Sequence, residues 1–379
     1  MTTDRRAFLR RTAAASASVV LPALPFSSAL AQAAPPSAPV RTEFNPLPGG
    51  WRTFDVTTRV DIAQPEGATQ VWLPLPAVES DWQRAFSSGF QSNGQARLSD
   101  DSLYGVKMLH VRFDAGVARP FVELTSRVAT RNRATDWTRP VASATEDAAS
   151  LRFWTQPTRR LPTDGIVRET ALKATRGART DVQKAQAIYD WVVTNTHREP
   201  TVRGCGEGDI KTMLETGNLG GKCADLNAIF VGLCRAAGLP ARDVYGIRLA
   251  PSAFGYKELS GNPASLKGAQ HCRAEVHLAG FGWVAMDPAD VAKVMRLETP
   301  EWIKTTQHPV VAPVNQRLFG GWEGNWMAWN MAHDLKLPGA KGPELGFFMY
   351  PTAETGGERL DSYAPDSFKY QITANEIKA

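Results

Sequence analysis

The chain has little histidine and cysteine, six of the first and four of the second among 379 residues. The cysteines, Cys205, Cys223, Cys234 and Cys272, include no CxxC pair. That spacing excludes a zinc knuckle and a dithiol oxidoreductase, which both need closely spaced pairs. It leaves open a bridge between Cys205 and Cys272. No metal site and no cofactor is expected. A long run of one charge is also missing. The formal net charge is +5, and the first 33 residues contribute four arginines against one aspartate, so the remainder is close to neutral. A nucleic-acid-binding surface, which needs clustered basic residues, is thereby excluded as the main function. No apolar stretch is long enough for a convincing membrane span in the mature chain. There is no internal repeat either. What remains is an ordinary globular composition, 43% hydrophobic and 21% charged, long enough for two or three folded units.

Residues 1–33 read as an export leader and not as structure. "DRRAFLRR" sets a twin arginine before Phe8 and Leu9, a mildly apolar stretch follows, and "SALAQAA" offers small-residue cleavage steps ending at Ala31 or Ala33. The pattern is that of a twin-arginine signal, which directs folded protein to a periplasmic or secreted location. Residues 34–50, opening with "APPSAP", read as a linker.

From 51 to 155 the pattern has a period of two. "WRTFDVTTRVDIA" places Phe54, Val56, Thr58, Val60 and Ile62 on one face. "TQVWLPLP", "KMLHVRFDA" and "PFVELTSRVATR" continue it, the last with Val122, Leu124, Ser126 and Val128 in step. Short strands between Gly, Pro and Asp turns predict a small antiparallel β-sandwich-like domain. Near residue 160 the period becomes helical. Val182, Ala185, Ile188, Tyr189, Val192 and Val193 form one stripe, with Thr180 or Asp181 as N-cap. His197 reads as a helix-end residue.

"GGKCADLNAIF" opens the most informative helix. Leu226, Ile229, Phe230, Leu233, Cys234 and Ala237 share one apolar face, and Gly238 and Pro240 stop the helix. Cys234 lies inside that face and reads as a core residue. Cys223 stands instead at the first turn, where backbone amides are unpaired and the helix dipole favours an anion. A thiolate is the nucleophilic form of cysteine, and this position lowers the cost of making it. The preceding glycines are expected to let a substrate carbonyl approach, with the Cys223 amide as an oxyanion donor.

A cysteine nucleophile needs a base and a group to orient it. "AEVHL" and "GWVAM", separated by "AGFG", predict a hairpin that carries His271 at the head of one strand and Asp287 at the foot of the other. Antiparallel pairing makes these two ends neighbours. His277, on the same face parity, is the competing base but lacks a carboxylate at its paired position.

These segments together resemble the transglutaminase-like superfamily, whose core is of the papain type. The shared features are a G-x-C at a helix start, the "LCRAAGLPARDV" continuation, a histidine-led strand and the "GWVAMDP" turn. By position, the resemblance implies Cys223 as nucleophile, His271 as base and Asp287 as orienting acid. The implied fold is α+β: the helix bearing the cysteine packed on an antiparallel sheet, over 160–300, preceded by the β-domain. One departure is clear. The Ala-Trp that follows the histidine in the family is Cys272-Arg273 here, which is expected to alter the cleft wall. The implied activity is acyl transfer at amides of peptides or proteins through a thioester resolved by an amine or by water, and the export address alone adds cell-wall peptide as a candidate substrate.

Residues 301–379 are expected as an extension packing on the core. Trp322, Trp326 and Trp329 within it suggest a packed interface, or else an exposed platform. The exposed form would suit a second reading of the whole chain, a catalytically silent module that binds peptide or glycan.

Overall fold

The computed structural model describes residues 40–140, 146–365 and 368–378. The leader expected over 1–33 lies outside the described residues. Among these, no helix is long and apolar enough to cross a membrane.

The chain opens with strands β1 (Arg52–Asp61), β2 (Thr69–Pro74), β3 (Gln83–Ser92), β4 (Gln95–Asp100), β5 (Lys107–Phe113), β6 (Phe121–Thr130) and the short β7 (Arg133–Ala134). Helices α1 (Ala148–Phe153), α2 (Gly165–Ala174) and α3 (Asp181–Asn195) follow, then β8 (His197–Arg198), α4 (Ile210–Thr216), β9 (Gly220–Gly221) and α5 (Cys223–Ala236). Next come β10 (Ala241–Arg248), β11 (Gln270–Leu278), β12 (Gly282–Met286), α6 (Pro288–Leu297) and α7 (Ala312–Arg317). The last strands are β13 (Gly321–Trp322), β14 (Trp326–Asn330), β15 (Thr352–Thr355), β16 (Glu358–Arg359) and β17 (Tyr370–Ile377).

The alternating segments build two facing sheets, β17-β1-β6-β3 and β16-β15-β2-β5-β4. Phe54, Val56, Thr58, Val60 and Ile62 are all buried, as the period of two requires. Val60, Val71, Leu73, Val111, Val122 and Leu124 fill the space between the sheets. Three of the nine strands come from the far end of the chain. β17 pairs along β1 from Thr53↔Ile377 to Val60↔Tyr370, and β15 pairs with β2. The C-terminal segment therefore divides its strands, because β14 joins the other sheet through β10.

That other sheet, β12-β11-β10-β14, carries α5 on it. Ile229, Phe230, Leu233 and Cys234 of α5 enter one apolar core with Ala274, Val276 and Val284 of the hairpin and with Ile188, Tyr189 and Val192 of α3. Thr180 caps α3 in a reciprocal pair with Gln183, which satisfies two of the helix's free amides. The α+β arrangement expected from the sequence is the one observed. The second half of the expected linker differs from a free connection. Phe44 is buried and packs edge-on against Phe254 and Tyr256, and Arg41 pairs with Glu298. One aromatic side chain is enough to seat that stretch on the core.

Candidate active site

The two glycines ahead of Cys223 answer to their neighbours in the fold. Parallel pairing of β8 with β9 sets His197 beside Gly220. A Cβ on Gly220 would lie 2.7 Å from the His197 imidazole, and one on Gly221 would lie 2.6 Å from the Asp225 side chain. The glycines, expected to admit a substrate carbonyl, are thus required by His197 and Asp225. The Asp225 carboxylate reaches back to the Lys222 amide at 2.9 Å and also accepts from the amides of Glu207 and Gly208, at 2.8 and 2.9 Å. It ties the start of α5 to the preceding loop and fixes Cys223 as the first helical residue.

The hairpin brings His271 and Asp287 together. His271 Nε2 lies 2.8 Å from Asp287 Oδ2. Asp287 also caps α6, its Oδ1 accepting the Asp290 amide at 3.1 Å, with Pro288 at the first helical position. Asn227, one turn along α5 from Cys223, donates to the carbonyl of Cys272 at 2.8 Å and to Asp287 Oδ1 at 3.2 Å. Trp326 Nε1 donates to the His271 carbonyl at 2.9 Å. The helix, both strands of the hairpin and β14 are thereby locked around one imidazole.

A second carboxylate, absent from the sequence-level expectation, joins them. Asp290 Oδ2 lies 3.3 Å from His271 Nε2, and its Oδ1 accepts from Arg248 at 2.6 Å. Arg273 Nε sits 3.4 Å from Asp287 Oδ2. Arg273 does not line a cleft wall, because it is buried behind Asp287 on the rings of Trp322 and Trp326.

The charges follow from this geometry. Burial disfavours an imidazolium, but Asp290 and Asp287 outweigh it, against an opposing push from Arg248, and raise His271 to about 9. Hydrogen bonds from Cys205 and Cys272 hold Cys223 well below the ordinary thiol range. They are opposed by burial and helped by a hydrogen bond and charge from His271. Burial raises Asp287, whereas Arg248 and His271 overcome burial to hold Asp290 well below the carboxylate range. The site therefore favours a thiolate beside an imidazolium near neutral pH. Cys234, buried in the apolar core, is pushed the other way by desolvation.

His271, Asp287 and Asp290 offer ligand atoms within 4.8 Å of one another, the group among the described residues with the spacing to hold a metal ion. Two guanidinium groups already contact its carboxylates, so a divalent cation would sit against two positive charges. The set is better matched to an ion-pair network. His277 lies six residues along β11, about 20 Å from His271, with its ring edge-on to Trp283.

Cys223 and His271 are 3% and 4% exposed. Cys205 and Tyr350 cover the thiol, the tyrosine hydroxyl donating to Cys205 Sγ at 3.1 Å. Tyr363 packs edge-on against Tyr350, and Arg203 pairs with Asp361 across the same cover. All four cysteines are free, so no bridge joins Cys205 to Cys272. Trp322, Trp326 and Trp329 are all buried, which rules out the exposed tryptophan platform.

Comparison with known proteins agrees with the geometry. The profile of the transglutaminase-like superfamily matches residues 168–288, which span α5 and the hairpin. An uncharacterized protein of Haemophilus influenzae is 35% identical over 345 residues, covering 86% of this chain and 91% of that protein. The chain belongs to the transglutaminase-like superfamily. A solved structure from Cytophaga hutchinsonii, provisionally named a cysteine protease, superposes with a TM-score of 0.55 at 13% identity, covering 88% of this chain and 93% of that one. At that identity the likeness concerns the fold. This superfamily member adds Asp290, Arg248, Asn227 and Trp326 to the residues legible in its sequence. Asn227 could have been found as the polar residue one turn from Cys223, and Asp290 as the acid one turn beyond Asp287.

Proposed function

We propose that this protein is a cysteine-nucleophile acyl-transfer enzyme acting on amide bonds of peptides or proteins, with Cys223 as nucleophile, His271 as acid–base group and Asp287 as its orienting carboxylate. The observation that carries the reading is the contact of a first-turn thiol with an imidazole that two carboxylates keep protonated. The Cys223 thiolate attacks the substrate carbonyl, and its amide is placed to donate to the developing oxyanion. His271 gives its proton to the leaving amine as the thioester forms. It then takes a proton from the incoming water or amine as that bond is resolved. Water gives a peptidase or amidase, and a primary amine gives a transamidase. The twin-arginine pattern in residues 1–33 supports a periplasmic or secreted setting, where cell-wall peptides are accessible substrates.

The test is mass spectrometry of the purified protein incubated with a peptide library and a primary amine. An acyl adduct on Cys223 is expected, absent from Cys223→Ser, and the products distinguish water from amine as acceptor. No adduct, with Cys223 labelled by iodoacetamide no faster than Cys234, would overturn the proposal in favour of a silent binding module.

A further inference from the structure

Cys205 is a second thiol at the nucleophile, and the reaction above gives it no task. It lies on the loop before α4, and its carbonyl accepts the Ala224 amide at 2.9 Å, which sets residue 205 beside the first turn of α5. Its thiol lies 3.4 Å from the carbonyl of Gln270, the residue before His271, and accepts the Tyr350 hydroxyl. Cys205, Cys223 and Cys272 share one apolar cluster, and the three thiols are close enough to shift one another's ionisation.

The two neighbours of Cys223 differ in their freedom to close on it. Cys272 sits within β11 opposite Tyr245, and Asn227 holds its carbonyl. Moving it toward α5 would break sheet pairing. Cys205 stands between Gly204 and Gly206, at φ +56° and +90°. The loop belongs to no sheet and is already docked on the first turn of α5 by the Ala224 amide and the Asp225 carboxylate, so the Cys205 side chain can turn toward Cys223 without breaking strand pairing. Cys223 is 3% exposed, which favours a small oxidant such as a hydroperoxide over a bulky one.

We propose that Cys205 is the resolving thiol of Cys223, forming a reversible Cys205–Cys223 disulfide when the site meets a hydroperoxide. In the first step the Cys223 thiolate attacks the peroxide. An S–O bond forms, the O–O bond breaks, and the alkoxide or hydroxide leaves and takes a proton. In the second step the Cys205 sulfur attacks the sulfenic sulfur. The S–S bond forms, the S–O bond breaks, and the Cys205 proton leaves with the oxygen as water. Two thiols are oxidised by two electrons and one peroxide is reduced. An external dithiol reverses the bridge by exchange. The hydrogen bond to Cys223 raises Cys205 above the ordinary thiol range, so it keeps the proton that the second step releases. Such a bridge halts oxidation before the sulfinic stage, which thiols do not reverse.

The inference rests on Cys223 being the reactive thiol, and the test separates the two. Iodoacetamide labelling of the untreated full chain reads the reactivity of Cys223 alone. Hydrogen peroxide treatment followed by peptide mapping is expected to give a Cys205–Cys223 linked peptide about 2 Da lighter than its parts. Labelling of Cys223 should fall with bridging and return with dithiothreitol. In Cys205→Ser, and in Cys205→Ala as a second variant, peroxide should instead add about 32 Da to Cys223 and cause a loss that dithiothreitol does not restore. Cys272→Ser should keep the bridge. A bridge from Cys223 to Cys272, no bridge at all, or full recovery of labelling in the Cys205 variants would overturn the proposal, even with Cys223 normally reactive.

Discussion

Among the described residues, two buried histidines sit against carboxylates, and one of the two adjoins a nucleophile. His271 meets Asp287 at 2.8 Å, and His333 meets Asp243 at 3.3 Å. All four side chains are almost fully inaccessible. Their surroundings differ. His271 has a second carboxylate, two guanidinium groups behind the acids and a thiol at a helix start. His333 is bounded by the rings of Tyr104 and Tyr245, with the Tyr245 hydroxyl 3.5 Å from its Nδ1, and the Asp243 oxygens accept no hydrogen bond. An imidazole against a carboxylate is therefore a common packing solution. What marks a catalytic candidate is the charge network that holds the imidazolium and the thiol that can use it.

The largest expected difference between the pairs is in rate. His271→Ala should lower acyl transfer by about 10²–10⁴-fold, measured by product formation or by iodoacetamide labelling of Cys223. His333→Ala should leave both unchanged and lower the melting temperature instead. Equal rate losses in the two variants would erase the distinction. Next is stability. Arg248→Met strands Asp290 in the interior and should cost about 3–5 kcal/mol in urea unfolding. Asp243→Asn, which removes no hydrogen bond, should cost less than about 1 kcal/mol. Asn227→Ala, which removes the side-chain donor to the Cys272 carbonyl and leaves Asp287 Oδ1 with the Asp290 amide, should cost about 1–3 kcal/mol.

The smallest effect is in pH dependence. His271 is raised from 6.5 to about 9, so the stability it contributes is fully present below pH 6.5 and is lost as pH rises through about 9. The lowered Cys223 thiol contributes in the opposite sense over that interval, so the His271 share is read on a Cys223→Ser background. There unfolding free energy should fall, His271→Ala should flatten the fall and His333→Ala should not. Cys223, held below the ordinary range, should lose less of its labelling rate from pH 8 to pH 6 than an ordinary thiol does. An ordinary thiol loses about tenfold in thiolate per pH unit there.

The same contrast explains what could be read from the sequence. β1, β6, α3 and α5 were legible because burial on one face imposes a period, as the buried run from Phe54 to Ile62 illustrates. The catalytic candidates were legible because Cys223 breaks its helix's pattern and because a hairpin makes His271 and Asp287 neighbours. β3 and β4 gave no such signal, since most of their side chains face solvent. Asp290, Arg248 and Trp326 were hidden for another reason. Each sits in a helix or strand that would form without it, and its role depends on partners up to 55 residues away. The same holds for Phe44, one aromatic in a stretch otherwise written like a linker.

The pairing of β1 with β17 sets a timetable for synthesis. Residue 53 finds its partner only at residue 377, so a ribosome must add every residue between them before the first sheet can close. Until then the β1 edge stays open to other chains. A protein built this way holds one edge of β1 unpaired through most of its synthesis, and a transport route that accepts only folded cargo would have to wait for β17.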